Sequence, residues 1–494
     1  MALTALPILI PFIFIIILIL VRSTIWARRI AIFGTILLLL VSVGLFSEVT
    51  KRGILTLTMG GWKAPFGITL VIDYLSGLML IVSAVIALAI ALYSTKFIDY
   101  PHKSHRFYVF FFSLIMGLNG SFTTGDVFNL YVWFEVMLMS SFVLITLGSK
   151  KKQIEGGIKY LALNLIGSML FLAGLGLLYG KTGTLNMAHL AKILIYDQQS
   201  IFMNTSAILF FIAFGIKAAV FPLFFWLPAS YHTPNITISS LFAGLLTKVG
   251  VYALFRFFTL FFIQDQQFWH TIILVIAGFT MVFGGMAASI YYDTRRILSY
   301  HIISQIGYMV MGLGIFSPLA LAGGIFFMMH NMIAKTNTFL VAGMMARLKG
   351  TFYLKDVGGL FKQDPLVAVL FIIPAFALAG IPPLSGFFAK FVLIKAGIEA
   401  EQWVITMVAV LTGMLTLYSM IKIWNEAFLK KAPEIPSEKR LPAKLSLMEL
   451  LPSILLGLIS IAMGLFAPQI FDFTFEAANQ LINPINYIEG VLNN

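Results

Sequence analysis

Of 494 residues, 60% are hydrophobic and 11% charged, more apolar surface than a water-soluble domain can cover with polar groups. The formal charge of +13 is spread over short loops between apolar stretches, not gathered on one face, which excludes nucleic acid as a partner and fits insertion into a membrane. With no cysteine the chain supplies no disulfide, no thiolate iron–sulfur ligand and no C-x-x-C-H haem site, so any redox centre belongs to another subunit.

Apolar stretches of the length that crosses roughly 30 Å of hydrocarbon as a helix predict an all-α polytopic membrane protein. About fourteen spans are expected, near 3–21, 30–48, 70–94, 107–123, 126–148, 157–180, 204–228, 236–262, 268–291, 297–316, 318–347, 365–397, 402–428 and 446–472. The first lacks a preceding basic region and a small-residue cleavage site, so it reads as a retained span. The longest connectors, 49–69, 181–203 and 429–445, are too short for a soluble domain.

Lysine and arginine favour the odd-numbered loops, from Arg22, Arg28 and Arg29 through Lys96, Lys103 and Arg106, Lys150 to Lys152, Arg295 and Arg296, to Arg347, Lys349, Lys355 and Lys362, and then Lys430, Lys431, Lys439, Arg440 and Lys444. Those loops are expected to be cytoplasmic and both termini to lie on the outer side of a bacterial inner membrane, although 49–69 carries Lys51, Arg52 and Lys63.

The fifth span places Glu135 centrally in NLYVWFEVMLMSSFVL. The seventh carries Lys217 ahead of Pro222 and Pro228 in FGIKAAVFPLFFWLP, and the twelfth carries Lys390 behind the break in GIPPLSGFFAK. A proline inside a helix removes a hydrogen bond to the carbonyl four residues back, so acceptors near Ala218, and near Leu378 and Ala379, are expected to be freed. Broken helices five spans apart, each with a lysine, predict two inverted five-helix repeats. The chain then divides into an N-terminal three-helix segment (1–106), a first repeat (107–262), a second repeat (268–428) and a C-terminal loop with the last span (429–494).

A charge at bilayer depth costs about 2.5–3.5 kcal/mol on insertion scales, so each needs a partner or water. For Lys96, Lys159, Arg256 and Lys422, near helix ends, snorkelling to the headgroups suffices. Lys217, Lys248 and Lys390 lie too deep for that, as does Glu135. Lys335 follows His330 in MMHNMIAKTNTFLVAG, where His330 and Asn337 share a face and Asn331 and Lys335 are expected to pair at i, i+4. His301 and His232 stand beside the same half-helices. Burial disfavours an ammonium and a nearby carboxylate favours it, so the distance from Lys217 to Glu135 would switch the proton on Lys217. Histidines, hydroxyls and water, the last held at the freed carbonyls, would pass it on. No H-E-x-x-H and no G-x-x-x-x-G-K-[ST] is present, so metalloprotease and ATPase chemistry lack their minimum parts, and no cofactor or metal is expected.

In WFEVMLMSSF, KAAVFPLFFWLPASYHTPNITISSLFAGLLTKVGVYALFR, DTRRILSYHIISQIGYMVMG, HNMIAKTNTFLVAG and GIPPLSGFFAKFVL the chain resembles the antiporter-like subunit family shared by complex I and the Mrp multisubunit Na⁺/H⁺ antiporters. The resemblance spans essentially the whole chain. It implies Glu135 and Lys217 as an acid–lysine pair, Lys248 as a central relay, Lys390 as a terminal proton site, and His330 and Lys335 on a bridging helix. Within the family, IKYLALNLIGSMLFLAGLGLLYGKTGTLNMAHLA, the lysine at 390 and a chain ending soon after the fourteenth span resemble the D-type subunits of Mrp antiporters. That implies a secondary transporter subunit that is not an enzyme, partnered in a hetero-oligomer by a larger antiporter-like subunit and small membrane subunits. The alternative is a proton-pumping membrane subunit of a respiratory NADH:quinone oxidoreductase. Where many relatives read L-P-x-A-H with an acidic x, this chain reads LPASYHTP, which displaces His232 by a residue and removes the acid.

Overall fold

The computed structural model describes residues 2–98, 104–195, 201–431, 442 and 444–493; Lys103, Lys439 and Arg440, counted in the loop-charge pattern, lie outside them. In chain order the helices are α1 (Leu6–Leu20), α2 (Thr24–Arg52), α3 (Tyr74–Phe97), α4 (Ser104–Thr123), α5 (Val127–Thr146), α6 (Lys151–Thr182) and α7 (Met187–Leu194). They continue as α8 (Ile201–Ala218), α9 (Trp226–Ser230), α10 (Ile236–Leu260), α11 (Gln266–Ile290), α12 (Thr294–Ile315), α13 (Pro318–Lys349) and α14 (Leu360–Gln363). The last are α15 (Pro365–Ala379), α16 (Ser385–Glu399), α17 (Trp403–Trp424), α18 (Leu447–Leu465), α19 (Ala467–Ile482) and α20 (Pro484–Leu492). Among the described residues nine helices are long and apolar enough to cross a membrane.

Two features depart from the all-α expectation and from the expected end of the chain. The 49–69 connector folds into an antiparallel ribbon of β1 (Leu55–Thr58) and β2 (Thr69–Ile72), with Leu55 opposite Ile72 and Thr58 opposite Thr69. Threonine, valine and isoleucine favour that pleated surface. The stretch beyond 465 is not a tail of the last span: the chain turns at Phe466 into α19, which packs on α13 and α3, and α20, which packs on α7.

The core lies between α3, α10, α12 and α13. Every residue of α10 is buried, and α13 packs against α3, α10, α12, α15, α16, α18 and α19. Such helices never meet lipid, which lets them carry polar residues that lipid-facing helices cannot. Peripheral helices instead expose large apolar side chains, such as Ile290 on α11 and Val404 on α17, as lipid contact requires.

Both breaks expected at prolines are present, although Pro228 itself lies inside α9. The span expected over 204–228 ends at Ala218; Ala219 takes φ 61°, and the chain re-forms a helix only at α9. The span expected over 365–397 divides into α15 and α16, with Gly380 at φ 90° between them, a conformation glycine adopts without penalty. Gly250 lets α10 lie against the first break: a Cβ there would sit 2.8 Å from the Lys217 carbonyl carbon.

Candidate functional site

α8 ends one residue after Lys217, so its side chain leaves the helix at the break. Lys217 is 6% exposed, and its ammonium lies 5.8 Å from the ring centre of Phe134, the residue preceding Glu135 on α5. Glu135 is half-buried, its charge acts on Lys217, and its Oε1 is buried without a hydrogen-bond partner among the described residues. No ion pair within 4.0 Å joins the two among the described residues, so the acid and the lysine stand near each other but apart. At the break the Ile216 carbonyl accepts from Trp226 Nε1 at 2.8 Å and from Ala219 N at 3.1 Å, and Phe221 N donates to Thr280 Oγ1 at 2.9 Å. Water was expected at freed carbonyls here; side chains hold two of the loosened backbone groups.

The second break is built differently. Lys390, in the second turn of α16, donates from Nζ to the carbonyls of Leu378 at 2.8 Å and Ala379 at 3.0 Å, the two acceptors expected to be freed by Pro382 and Pro383. Its ammonium also lies 5.2 Å from the ring centre of Tyr308. Tyr308 in turn donates its hydroxyl proton to the Ala409 carbonyl.

Between the breaks lies a group of fully buried residues on α10, α12 and α13. Lys248, at the midpoint of α10, donates to the Ala243 carbonyl at 2.6 Å. Lys335, near the middle of α13, is fully buried and has no hydrogen-bond partner among the described residues, and it lies within electrostatic range of Lys248 and Lys390. The charges of Lys335 and Lys390 reach both His301 and His330. His330 Nδ1 lies 2.8 Å from Ser385 Oγ, which lies 3.2 Å from Ser460 Oγ on α18.

What this group lacks is partners. Both ring nitrogens of His301, Nε2 of His330, both amide atoms of Asn331, Nζ of Lys335, Nδ2 of Asn337, Oε1 of Gln305, and the hydroxyls of Thr247 and Thr412 are buried without a hydrogen bond among the described residues. The expected Asn331–Lys335 pair is therefore not made: side-chain direction on a helix is set by packing as well as spacing. Each buried polar atom left unpaired costs about 1–3 kcal/mol, so ordered water at such atoms is favoured.

Other candidates fall elsewhere. His232 lines a cavity beyond the end of α9, where its Nδ1 is 2.7 Å from the Pro228 carbonyl. A carbonyl only accepts, so Nδ1 carries the proton. Burial holds the His232 imidazole below its ordinary range, the Pro228 contact works against that, and Arg296 and Arg295 add to the lowering.

Lys96 and Lys159 are exposed, as snorkelling requires, and Lys422 donates to the carbonyls of Ser289 and Tyr291 at the end of α11. Arg256 does not snorkel. It is 5% exposed; Nη1 lies 2.6 Å from Asp73 Oδ2, Nη2 donates to Tyr252 Oη at 3.2 Å, and its guanidinium lies 5.2 Å from the Tyr487 ring centre on α20. Asp73 caps α3, accepting from Ser76 N at 2.9 Å, so both of its carboxylate oxygens are engaged. The sequence signal for Asp73 was available in the capping spacing of Asp73 and Ser76; its partner, far along the chain, was not.

The model of a family described as NADH:quinone oxidoreductase/Mrp antiporter, transmembrane region, matches residues 124–416. The chain is 45% identical over 491 residues to the D subunit of the Na⁺/H⁺ antiporter of Alkalihalophilus pseudofirmus, covering 99% of both chains. It is 38% identical over 488 residues to the D subunit of the Na⁺/H⁺ antiporter of Bacillus subtilis, covering 99% of this chain and 98% of that one. Its structure is similar to a chain in the Mrp complex of Dietzia sp. DQ12-45-1b, with a TM-score of 0.91, 28% identity and full coverage of both chains.

Proposed function

This chain belongs to the NADH:quinone oxidoreductase/Mrp antiporter membrane family, and we propose that within it the chain is the D-type, proton-translocating subunit of a multisubunit Na⁺/H⁺ antiporter. It is a multi-pass membrane transporter subunit rather than a catalytic enzyme. Identity along nearly the whole chain to subunits named for antiport favours this over a redox-driven complex.

The observation that carries the reading is the set of buried polar atoms without hydrogen-bond partners among the described residues on the helices that bear Lys248, Lys335, His301 and His330; the reading joins them into one file between the two helix breaks. Water within that file would join Lys217 at one end to Lys390 at the other. A proton taken by Lys217 is stabilised while Glu135 is close; when the pair separates, the ammonium in its apolar surroundings gives the proton to the file. Like charges on Lys248, Lys335 and Lys390 then resist simultaneous occupancy, so a proton arriving at one end favours release at the other. The two breaks supply the movable backbone for this exchange.

The same reading places fourteen spans in the cell membrane, with residues 107–262 and 268–428 as inverted five-helix repeats between the segments 1–106 and 429–494. The odd-numbered loops face the cytoplasm and both termini the outside. A larger antiporter-like subunit and small membrane subunits complete the complex.

Antiport in everted membrane vesicles tests the assignment. Lys217→Ala and Glu135→Gln are each expected to reduce Na⁺-dependent proton movement to background while the complex still assembles; near-normal antiport in either variant overturns it.

A further inference from the structure

A cavity of about 850 Å³ opens at the seam where the start of α6 meets the end of α11 and the start of α12. It stands apart from the buried file, and its walls combine two chemistries. Four cationic side chains and two carboxylates line it, and the carboxylates are already spent: Glu155 lies 2.5 Å from Lys159, and Asp293 lies 3.1 Å from Arg295. Lys152 on α6 and Arg296 on α12 are left, both exposed and with no carboxylate within 4.0 Å among the described residues. The mouth is apolar: Phe225 is 64% exposed and Ile290, the last residue of α11, is 72% exposed.

Unspent cations above an apolar lip, at the end of membrane helices, match a molecule with an anionic head and hydrocarbon tails. We propose that this cavity is a site for an anionic phospholipid, whose phosphate pairs with Lys152 and Arg296 while its acyl chains lie along Phe225 and Ile290. The two cations come from elements on opposite sides of the seam, so the bound lipid ties α6 to α12 at the face where His232 stands. A small soluble anion satisfies the cations but leaves the apolar lip bare. The lip therefore selects the lipid over free phosphate.

The test uses the whole complex purified in mild detergent, with retained phospholipids identified by native mass spectrometry. Phosphatidylglycerol or cardiolipin is expected to stay with the wild type through delipidation that removes phosphatidylethanolamine. The double substitution Lys152→Gln with Arg296→Gln is expected to weaken that retention by roughly tenfold or more. Replacing the self-neutralised pair, Glu155→Gln with Lys159→Gln, is expected to leave it unchanged. Thermal protection of the delipidated complex separates the sources, phosphatidylglycerol nanodiscs protecting it and millimolar inorganic phosphate not. Unaltered retention in the Lys152/Arg296 double variant, or equal protection by inorganic phosphate, overturns the proposal. Retention is read without transport, so this outcome is independent of the antiport assays.

Discussion

The two helix breaks look alike in sequence, a lysine beside proline in each, yet they are stabilised by opposite means. At the first, Trp226 and Thr280 hold the loosened backbone groups, and Lys217 lies within reach of the Glu135 charge. At the second the lysine itself holds the loosened carbonyls. In the proposed mechanism Lys217 is thus a proton site beside a self-sufficient break, whereas Lys390 would be a proton site and is a structural clamp at once. A buried lysine in a membrane protein can be retained for transport alone or for transport and fold together.

The largest expected effect sets the scale from outside both breaks. Arg256→Met leaves the Asp73 carboxylate buried without its partner and should lower the apparent unfolding free energy of the solubilised complex by about 3–5 kcal/mol. Replacing both residues by apolar ones should restore much of it.

Next comes the direct contrast. Lys390→Ala should cost about 2–4 kcal/mol of stability, since two carbonyls lose their donor, and should also abolish antiport. Lys217→Ala should abolish antiport with a thermal midpoint close to wild type; if it destabilises as much as Lys390→Ala, the distinction between the breaks fails.

Gly380→Ala should cost about 1–3 kcal/mol, because alanine is strained at φ 90° and its Cβ would lie 3.0 Å from Lys390 Cδ. The smallest effect is expected of Trp226→Phe, about 0.5–1.5 kcal/mol for the bond to the Ile216 carbonyl, with antiport retained. A transport-dead Trp226→Phe with normal stability would mean that the first break is not self-sufficient.

Much of this site was legible in the chain because depth is a property of sequence. Apolar runs of span length fix where Glu135, Lys217, Lys248 and Lys335 sit along their helices, and proline fixes where the backbone bond is lost, down to the carbonyls of Leu378 and Ala379. The misses share one cause. Arg256 lies near a helix end, which in sequence reads as snorkelling, and only the packing of α10 against α3 brings it to Asp73. Asn331 and Lys335 have the right spacing to pair, yet neighbouring helices crowd α13 on every side and the pair is not made.

By itself the sequence determined that this chain lives in a bilayer, which groups lie at depth, and where two helices must give way, because those follow from hydrophobic length and from backbone chemistry local to a few residues. Tertiary structure alone decided which groups meet: the guanidinium that finds an aspartate, the lysine that clamps two carbonyls, the tryptophan that closes a break, and the buried polar atoms that find no partner among the described residues. Those choices depend on contacts between elements far apart in the chain, whose directions are set by close packing of whole helices and not by the spacing of residues along any one of them.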